Sequence, residues 1–310
     1  MEVIHGIENF PVLPNAIVTN GTFDGVHQGH RKILKRVVDY AKANNGQSVL
    51  ITYHPHPRFV LFPEDNNLKL LNALDEKIDL LRQIGLDYLL VVPFNSELSR
   101  IHSTQFIKEY LVDAIRTKCL IIGYDHQFGK NREGSFDNLQ KMAPEFGFSL
   151  EEIPRHDIEN VGVSSTKIRN ALLEGEIELA EEFLGYPYFL YGIVEEGDKI
   201  GRTLGFPTAN IKIENSRKLI PCDGVYAVKV TLNGHFHYGM LYIGLRPTIN
   251  GVKRNIEVNI FNFDENIYFC SIKVEFLVRT RGEMKFDNLE DLKNQISKDK
   301  IAVQKVLKSY

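Results

Sequence analysis

Three cysteines in 310 residues, Cys119, Cys222 and Cys270, are too few and too far apart for a disulfide framework, and no CxxC pair offers a zinc or redox site. They read as reduced structural thiols. An excess of charge of one sign is also missing: the formal net charge is -3 with both signs interspersed, so the chain lacks the broad basic surface that draws in nucleic acid. No segment has the apolar length needed to span a bilayer, and Glu2, His5 and Glu8 break the apolar run at the N-terminus. The expectation is a cytoplasmic protein with neither nucleic acid nor membrane as partner. No repeat or low-complexity tract is visible. What remains is a globular composition, 43% hydrophobic and 25% charged, in a chain long enough for two domains.

From residue 16 to about 183, short apolar runs alternate with amphipathic stretches. AIVT at 16–19, SVLITY at 48–53, YLLVV at 88–92 and KCLII at 118–122 read as buried strands. Ile33, Leu34, Val37, Val38 and Ala41 fall on one helical face, and Ile78, Leu81 and Ile84 on another before Gly85 ends that helix. Such alternation predicts a mostly parallel sheet with right-handed crossovers, an α/β domain whose ligands bind beyond the carboxyl ends of its strands. After Leu184 the helical period gives way to adjacent strands. GVYAVKVTL, Asn233-Gly234 and HFHYGMLYIG form a hairpin with a type I′ turn. IEVNIFNF and IYFCSIKVEFLV, around Asp264 to Asn266, read as a second hairpin. A small antiparallel β-barrel with one or two terminal helices from Asn288 follows. The fold class is α/β plus β, with domains at 1–183 and 184–310.

GTFDGVHQGH follows the first strand and opens the first helix, where unpaired amides and the positive dipole end attract phosphate. Gly21, Gly25 and Gly29 let the backbone approach a ligand, and His27 and His30 can face one phosphate chain. Taken alone, an HxGH tetrad is as easily a pair of surface histidines. The order of strand, glycine turn, HxGH and helix resembles the nucleotidylyltransferase superfamily, a Rossmann-like fold, and the longer motif resembles its FAD synthetase branch. Thr52-Tyr53-His54-Pro55-His56-Pro57 is similar to the flavin-enclosing segment of that branch. Gly123 to Gly134, with Asp125, resembles its GxDFxFGxxRxG segment, His126 standing where Phe is usual. Ser164-Ser165-Thr166-Lys167-Ile168-Arg169 is similar to its SSTxIR motif, although a plain helix cap is the commoner role of such hydroxyls. The faint likeness of Gly123 to Asn131 to a P-loop fails, because Asn131 replaces the hydroxyl that must reach magnesium.

The resemblance implies adenylyl transfer from ATP to FMN. Gly21, Phe23, Asp24, Gly25, His27, Gly29, His30, Ser164, Ser165, Thr166, Lys167 and Arg169 would bind ATP. His54, Pro55, Pro57 and Asp125 would border the flavin. The attacking phosphate is already anionic, so catalysis reduces to alignment and charge neutralisation by groups such as His27, His30, Lys167 and Arg169. Asp24 would support the loop or the adenosine.

In the second half, Gly201-Arg202-Thr203-Leu204-Gly205-Phe206-Pro207-Thr208-Ala209-Asn210 is a glycine-punctuated loop ending in oxygen-bearing side chains. Gly-Phe-Pro-Thr alone would be a turn between barrel strands. The full ten residues resemble the GRxLGFPTAN hallmark of riboflavin kinases, which implies ATP contacts from Gly201, Arg202, Gly205, Phe206, Pro207, Thr208 and Asn210. Thr208 and Asn210 would be the Mg2+ ligands, hard oxygen donors of the kind magnesium prefers. Ile243 to Thr248 resembles the IGxRPT segment of the kinases, and Glu257 occupies the place of their catalytic carboxylate. A base is needed there because the riboflavin 5′-hydroxyl must lose its proton during attack. Arg279, Arg281, Glu283 and Phe286 lie in a segment similar to the one that borders the flavin pocket in the family. Asn259, Asn262 and the Phe269-Cys270 pair depart from the family pattern and put local pocket shape in doubt.

Motifs in family order over nearly the whole chain resemble the bacterial bifunctional riboflavin kinase/FMN adenylyltransferases. The resemblance implies riboflavin, FMN, FAD and ATP as substrates and products, with Mg2+ as cofactor. Competing readings are an enzyme with only one of the two activities, a non-catalytic flavin-binding regulator, and another small-molecule adenylyltransferase joined to an unrelated barrel. The chemical completeness of both sites speaks against the first, the retained phosphate-handling His27, His30 and Arg169 against the second, and the ten-residue kinase motif against the third.

Overall fold

The computed structural model describes residues 1–65, 67–123, 129, 136–154, 162–197, 200–248 and 251–310. The chain forms two compact units, Met1–Ser165 and Thr166–Tyr310. The sequence puts the division at 183/184. In the structure, helices at Ser165–Glu174 (α4) and Ile177–Leu184 (α5) pack for nearly their whole length with the second unit.

The first unit is a six-stranded parallel sheet. Its strands are β1 (Glu2–His5), β2 (Ala16–Asn20), β3 (Gln47–His54), β4 (Tyr88–Pro93), β5 (Thr117–Gly123) and β6 (Ser149–Ile153), in the order β1-β4-β3-β2-β5-β6. The four apolar runs read from sequence are the four central strands. They are largely apolar because both faces are covered, as parallel sheets require. Val18, Val49, Ile51, Leu90 and Ile122 share a core with Phe106, Ile107 and Leu111, while α1 (Gln28–Ala43) packs on β2, β3 and β5 and α3 (Phe136–Phe146) on β6. Each fully buried Leu or Ile contributes roughly 2 kcal/mol, so this double-sided packing holds the strand ends firmly. The edge strands β1 and β6 carry no long apolar run, which is why periodicity misses them. Because β2 has β3 on one side and β5 on the other, the strand order reverses beside it, and the HxGH turn leaves β2 at this switch point.

Helix α2 (Leu74–Arg82) departs from the reading of its pattern. Its buried residues are Glu76, Lys77, Leu80 and Leu81, while Ile78 and Ile84 are only partly covered. Two charged residues occupy the inward face because each has a partner: Glu76 Oε2 accepts from the Ala73 amide at 2.8 Å, and Lys77 Nζ donates to the Thr22 carbonyl at 2.6 Å.

The second unit is a closed barrel, β10-β11-β8-β7-β12-β9, built from β7 (Phe189–Glu195), β8 (Ala209–Lys212), β9 (Gly224–Leu232), β10 (His235–Thr248), β11 (Gly251–Ile260) and β12 (Ser271–Arg281). Asn233 and Gly234 have φ of 49° and 80°, the two left-handed residues of a type I′ turn, so the first hairpin is as read from sequence. The second hairpin is not. β11 pairs with β10 and β8, and β12 with β7 and β9, so the segment around Asp264 to Asn266 crosses between non-neighbouring strands. Barrel closure explains the difference, since β7 and β8 must lie between β11 and β12 to leave no open edge. Tyr226, Val228 and Phe276 fill the interior, and Tyr188 donates to the Leu219 carbonyl at 2.6 Å. A single long helix, α6 (Leu289–Val306), packs on β9, β10 and β12 and ends in one 3-10 turn.

Candidate functional sites

At the end of β2 the chain turns through three left-handed residues, Phe23, Gly25 and Val26, with φ of 46°, 89° and 37°. Two of these carry side chains, a strained arrangement that persists only where surrounding contacts enforce it. Here the contacts are specific. The Asp24 carboxylate accepts from the Leu71 amide at 3.0 Å and the Asn72 amide at 3.3 Å, and the Asp24 carbonyl accepts from the Ser165 hydroxyl at 2.9 Å. The Thr22 carbonyl receives Lys77. Asp24 is thus buried beneath the turn and tied to two other segments of the chain.

His27 caps α1, its Nδ1 accepting from the His30 amide at 3.3 Å. The two imidazoles stack with centroids 3.5 Å apart, and the Phe23 ring lies 4.9 Å from that of His30. His30 Nδ1 is buried without a hydrogen bond among the described residues. Burial, then His27, then Lys77, holds His30 well below the ordinary imidazole range. Gly21, Phe23, Asp24, Gly25, His27, Gly29 and His30 therefore form one turn at a helix N-terminus, and Ser165 reaches the same turn. Thr166, Lys167 and Arg169 continue α4 within the second compact unit. His54, at the end of β3, is held low by burial, Lys77 and His5. Pro55 and Pro57 follow it into a short helix, Pro57–Leu61, capped by His56. Asp125 lies outside the described residues. Lys77 is the site-proximal residue that sequence reasoning misses, since nothing in a single sequence marks one lysine of an amphipathic helix as buried.

In the barrel, Gly201 accepts from the Phe206 amide at 2.7 Å, and Gly205 turns left-handed with φ of 86°. A Cβ on Gly201 would run into the Phe206 carbonyl and the Thr208 hydroxyl, so the loop closes only with glycine there. The loop delivers Thr208 to β11, where its hydroxyl donates to Glu257 Oε2 at 3.1 Å while Asn255 donates to Oε1. Asn210 pairs opposite Glu257 in the β8–β11 ladder, and a Cβ on Gly197 would collide with its amide. Asn259, one of the departures from the family pattern, donates to the Pro207 carbonyl at 2.6 Å and so braces this same loop.

Two cavities meet at this loop. One, of about 260 Å³, has a largely apolar wall including Leu204, Phe206, Val225, Met240, Leu292 and Ile296, with Glu257, Asn255, Arg281 and Asp299 among its polar groups. The other, of about 450 Å³, is lined by Arg202, Pro207, Ala209 and the segment Phe263 to Tyr268. Thr208 lines both. Arg281 and Phe286 face the smaller cavity, and α6 supplies part of its wall. Arg281 donates through Nε and Nη2 to the two oxygens of Asp299 at 2.8 and 2.6 Å, and Gln295 adds a bond to Asp299 at 2.8 Å. Arg279 and Glu283 are not among the lining residues. Arg279 donates to the Asp223 carbonyl at 2.7 Å, and Glu283 accepts from the Tyr242 hydroxyl at 3.1 Å; burial, and then Glu283, push that phenol up to about 12. The Arg246 side chain lies outside the described ones.

Comparison with known proteins bears on both units. The FAD synthetase family model matches residues 10–167, and the riboflavin kinase family model matches 184–307. A bifunctional riboflavin kinase/FMN adenylyltransferase of Haemophilus influenzae is 38% identical over 96% of this chain and 97% of its own length. Those of Bacillus subtilis and Escherichia coli K12 are 37% and 36% identical over 92% and 98% of this chain and 90% and 97% of their own. A crystal structure described as a macrolide-efflux protein from Streptococcus pneumoniae is 29% identical, with a TM-score of 0.87 over 97% of this chain and 98% of that one. No helix among the described residues is long and apolar enough to cross a membrane. With two domain models in tandem and full-length relatives well above 30% identity, the chain belongs to the family of bifunctional riboflavin kinase/FMN adenylyltransferases.

Proposed function

We propose that the two activities of the family are divided along the chain, residues 184–310 converting riboflavin to FMN and residues 1–183 converting FMN to FAD, each with its own ATP site. The observation that carries the kinase half is the position of Thr208 on both cavities, beside Glu257. The isoalloxazine ring occupies the smaller, apolar cavity with its 5′-hydroxyl toward Glu257, and the triphosphate reaches it from the larger cavity past Thr208. The Glu257 carboxylate, oriented by Thr208 and Asn255, takes the hydroxyl proton as the oxygen attacks the γ-phosphorus.

Thr208 and Asn210 hold Mg2+ in this reading. Their oxygen donors suit it, and Gly197 and Gly201 leave room for both side chains where a Cβ would not. When bound, the ion neutralises phosphate charge. The residues themselves orient the triphosphate, and Arg202, which lines the larger cavity, adds a cation.

In the adenylyltransferase half, the amides at the start of α1, His27, His30, the hydroxyls of Ser164, Ser165 and Thr166, and the cations Lys167 and Arg169 grip the triphosphate. His54, Pro55, Pro57 and Asp125 border the flavin, whose phosphate attacks the α-phosphorus and displaces pyrophosphate. No base is required. The protein works in the cytoplasm on small molecules alone. The test is a chromatographic time course of purified protein with riboflavin, ATP and magnesium, in which FMN appears first and FAD follows. Absence of any flavin product defeats the proposal.

A further inference from the structure

Lys77 is 7% exposed, and its ammonium has a single hydrogen bond among the described residues, to the Thr22 carbonyl. Burying such a charge is unfavourable unless something compensates, and a neutral side chain would fill the space at lower cost. Burial pulls the Lys77 ammonium below its ordinary range, and Asp24, whose carboxylate is also engaged by the Leu71 and Asn72 amides, acts against that and favours the charged form. The positive charge of Lys77 also acts on two imidazoles that arrive from different strands, His30 after β2 and His54 after β3. Three nitrogen-bearing side chains and one committed carboxylate thus gather at the carboxyl ends of adjacent strands. Lys77 is buried there and His54 is exposed, so the locus pairs positive character with access for an anion.

On the reading above, His30 stands on the nucleotide side and His54 on the flavin side, and the inference rests on that reading. Adenylyl transfer must bring two like-charged groups together, the FMN phosphate and the α-phosphate of ATP, and their repulsion is greatest in a dry site. We propose that Lys77 is a positioning residue for adenylyl transfer: its buried ammonium ties down the Thr22–Asp24 turn and supplies positive charge at the junction of His30 and His54, where the two phosphates meet. Lys77 moves no proton. A bond forms between an FMN phosphate oxygen and the α-phosphorus, the bond from that phosphorus to its bridging oxygen breaks, and pyrophosphate leaves with the electron pair.

Three variants of the full chain separate charge from mere bracing. Lys77→Gln keeps a donor for the Thr22 carbonyl without the charge, Lys77→Met keeps only the bulk, and Lys77→Arg keeps the charge. With FMN and ATP supplied, Lys77→Gln and Lys77→Met should each lower kcat for FAD formation about 100-fold, the loss typical of a removed electrostatic contact, with KM for ATP changed less than about threefold. Lys77→Arg should recover at least about a tenth of the lost rate. Riboflavin phosphorylation in the same preparations reports an intact chain. A wild-type rate in Lys77→Gln overturns the proposal and leaves Lys77 as a brace. An equal loss in all three variants overturns it also. His30→Ala serves as the reference: if it too leaves FAD formation intact, the site reading has failed, whereas a loss there beside a normal Lys77→Gln rejects this inference alone.

Discussion

The Thr208 hydroxyl donates to Glu257 across 3.1 Å, joining the end of the glycine loop to the middle of β11. One bond therefore couples the residue shared by the two barrel cavities to a carboxylate that lines one of them. Replacing Glu257 by Gln preserves a hydrogen-bonding partner for Thr208 but removes the carboxylate proposed as the base. FMN formation should fall by about 10² to 10⁴ while added FMN is still converted to FAD. Separate chromatographic assays of the two steps decide this, and loss of both steps would defeat the assignment of independent sites.

Gly201 admits no Cβ without displacing the Phe206 carbonyl or the Thr208 hydroxyl. Gly201→Ala should push the loop outward and raise KM for ATP in riboflavin phosphorylation by roughly tenfold, a shift of about 1.4 kcal/mol in binding. FAD formation from FMN should be unchanged. Steady-state kinetics at varied ATP for each step check both statements.

Asp299 is 4% exposed and binds the fork of Arg281 through both oxygens. Asp299→Ala strands a guanidinium at the wall of the smaller, apolar cavity. Breaking such a buried pair costs about 3 kcal/mol or more, and the loosened Arg281 should raise KM for riboflavin about tenfold. Urea unfolding measures the first and kinase assays the second. A variant of native stability and native KM would remove Asp299 from the account.

His30 titrates well below the ordinary imidazole range in the folded chain. In the unfolded chain it takes up a proton as pH falls through about 6.5. The unfolded state then binds more protons than the folded one, so stability declines as pH drops through that window and is fully present above it. His30→Gln should make the slope of stability against pH shallower between about 7.5 and 5.5, the span centred on that value. Urea midpoints across the range test the sign. The same variant should lower FAD formation about 100-fold and spare riboflavin phosphorylation.

The four central strands, the first helix, the Asn233-Gly234 hairpin and the two glycine-bearing motifs were all legible in the sequence. Each is a local matter: an apolar run, a helical period, a pair of residues that tolerate positive φ, a contiguous string of site residues. What tertiary structure alone decided is which distant segments meet. Closure of the barrel separated β11 from β12 although their intervening loop looks like a hairpin. The Thr22 carbonyl drew Lys77 inward on a helix whose apolar pattern pointed elsewhere. Arg281 found Asp299 on the terminal helix, while Arg279, two residues earlier, turned to the Asp223 carbonyl. Local propensity is settled by neighbours along the chain, but strand pairing, buried charge and shared cavities depend on contacts that form only when remote segments compete for the same space and the same hydrogen bonds.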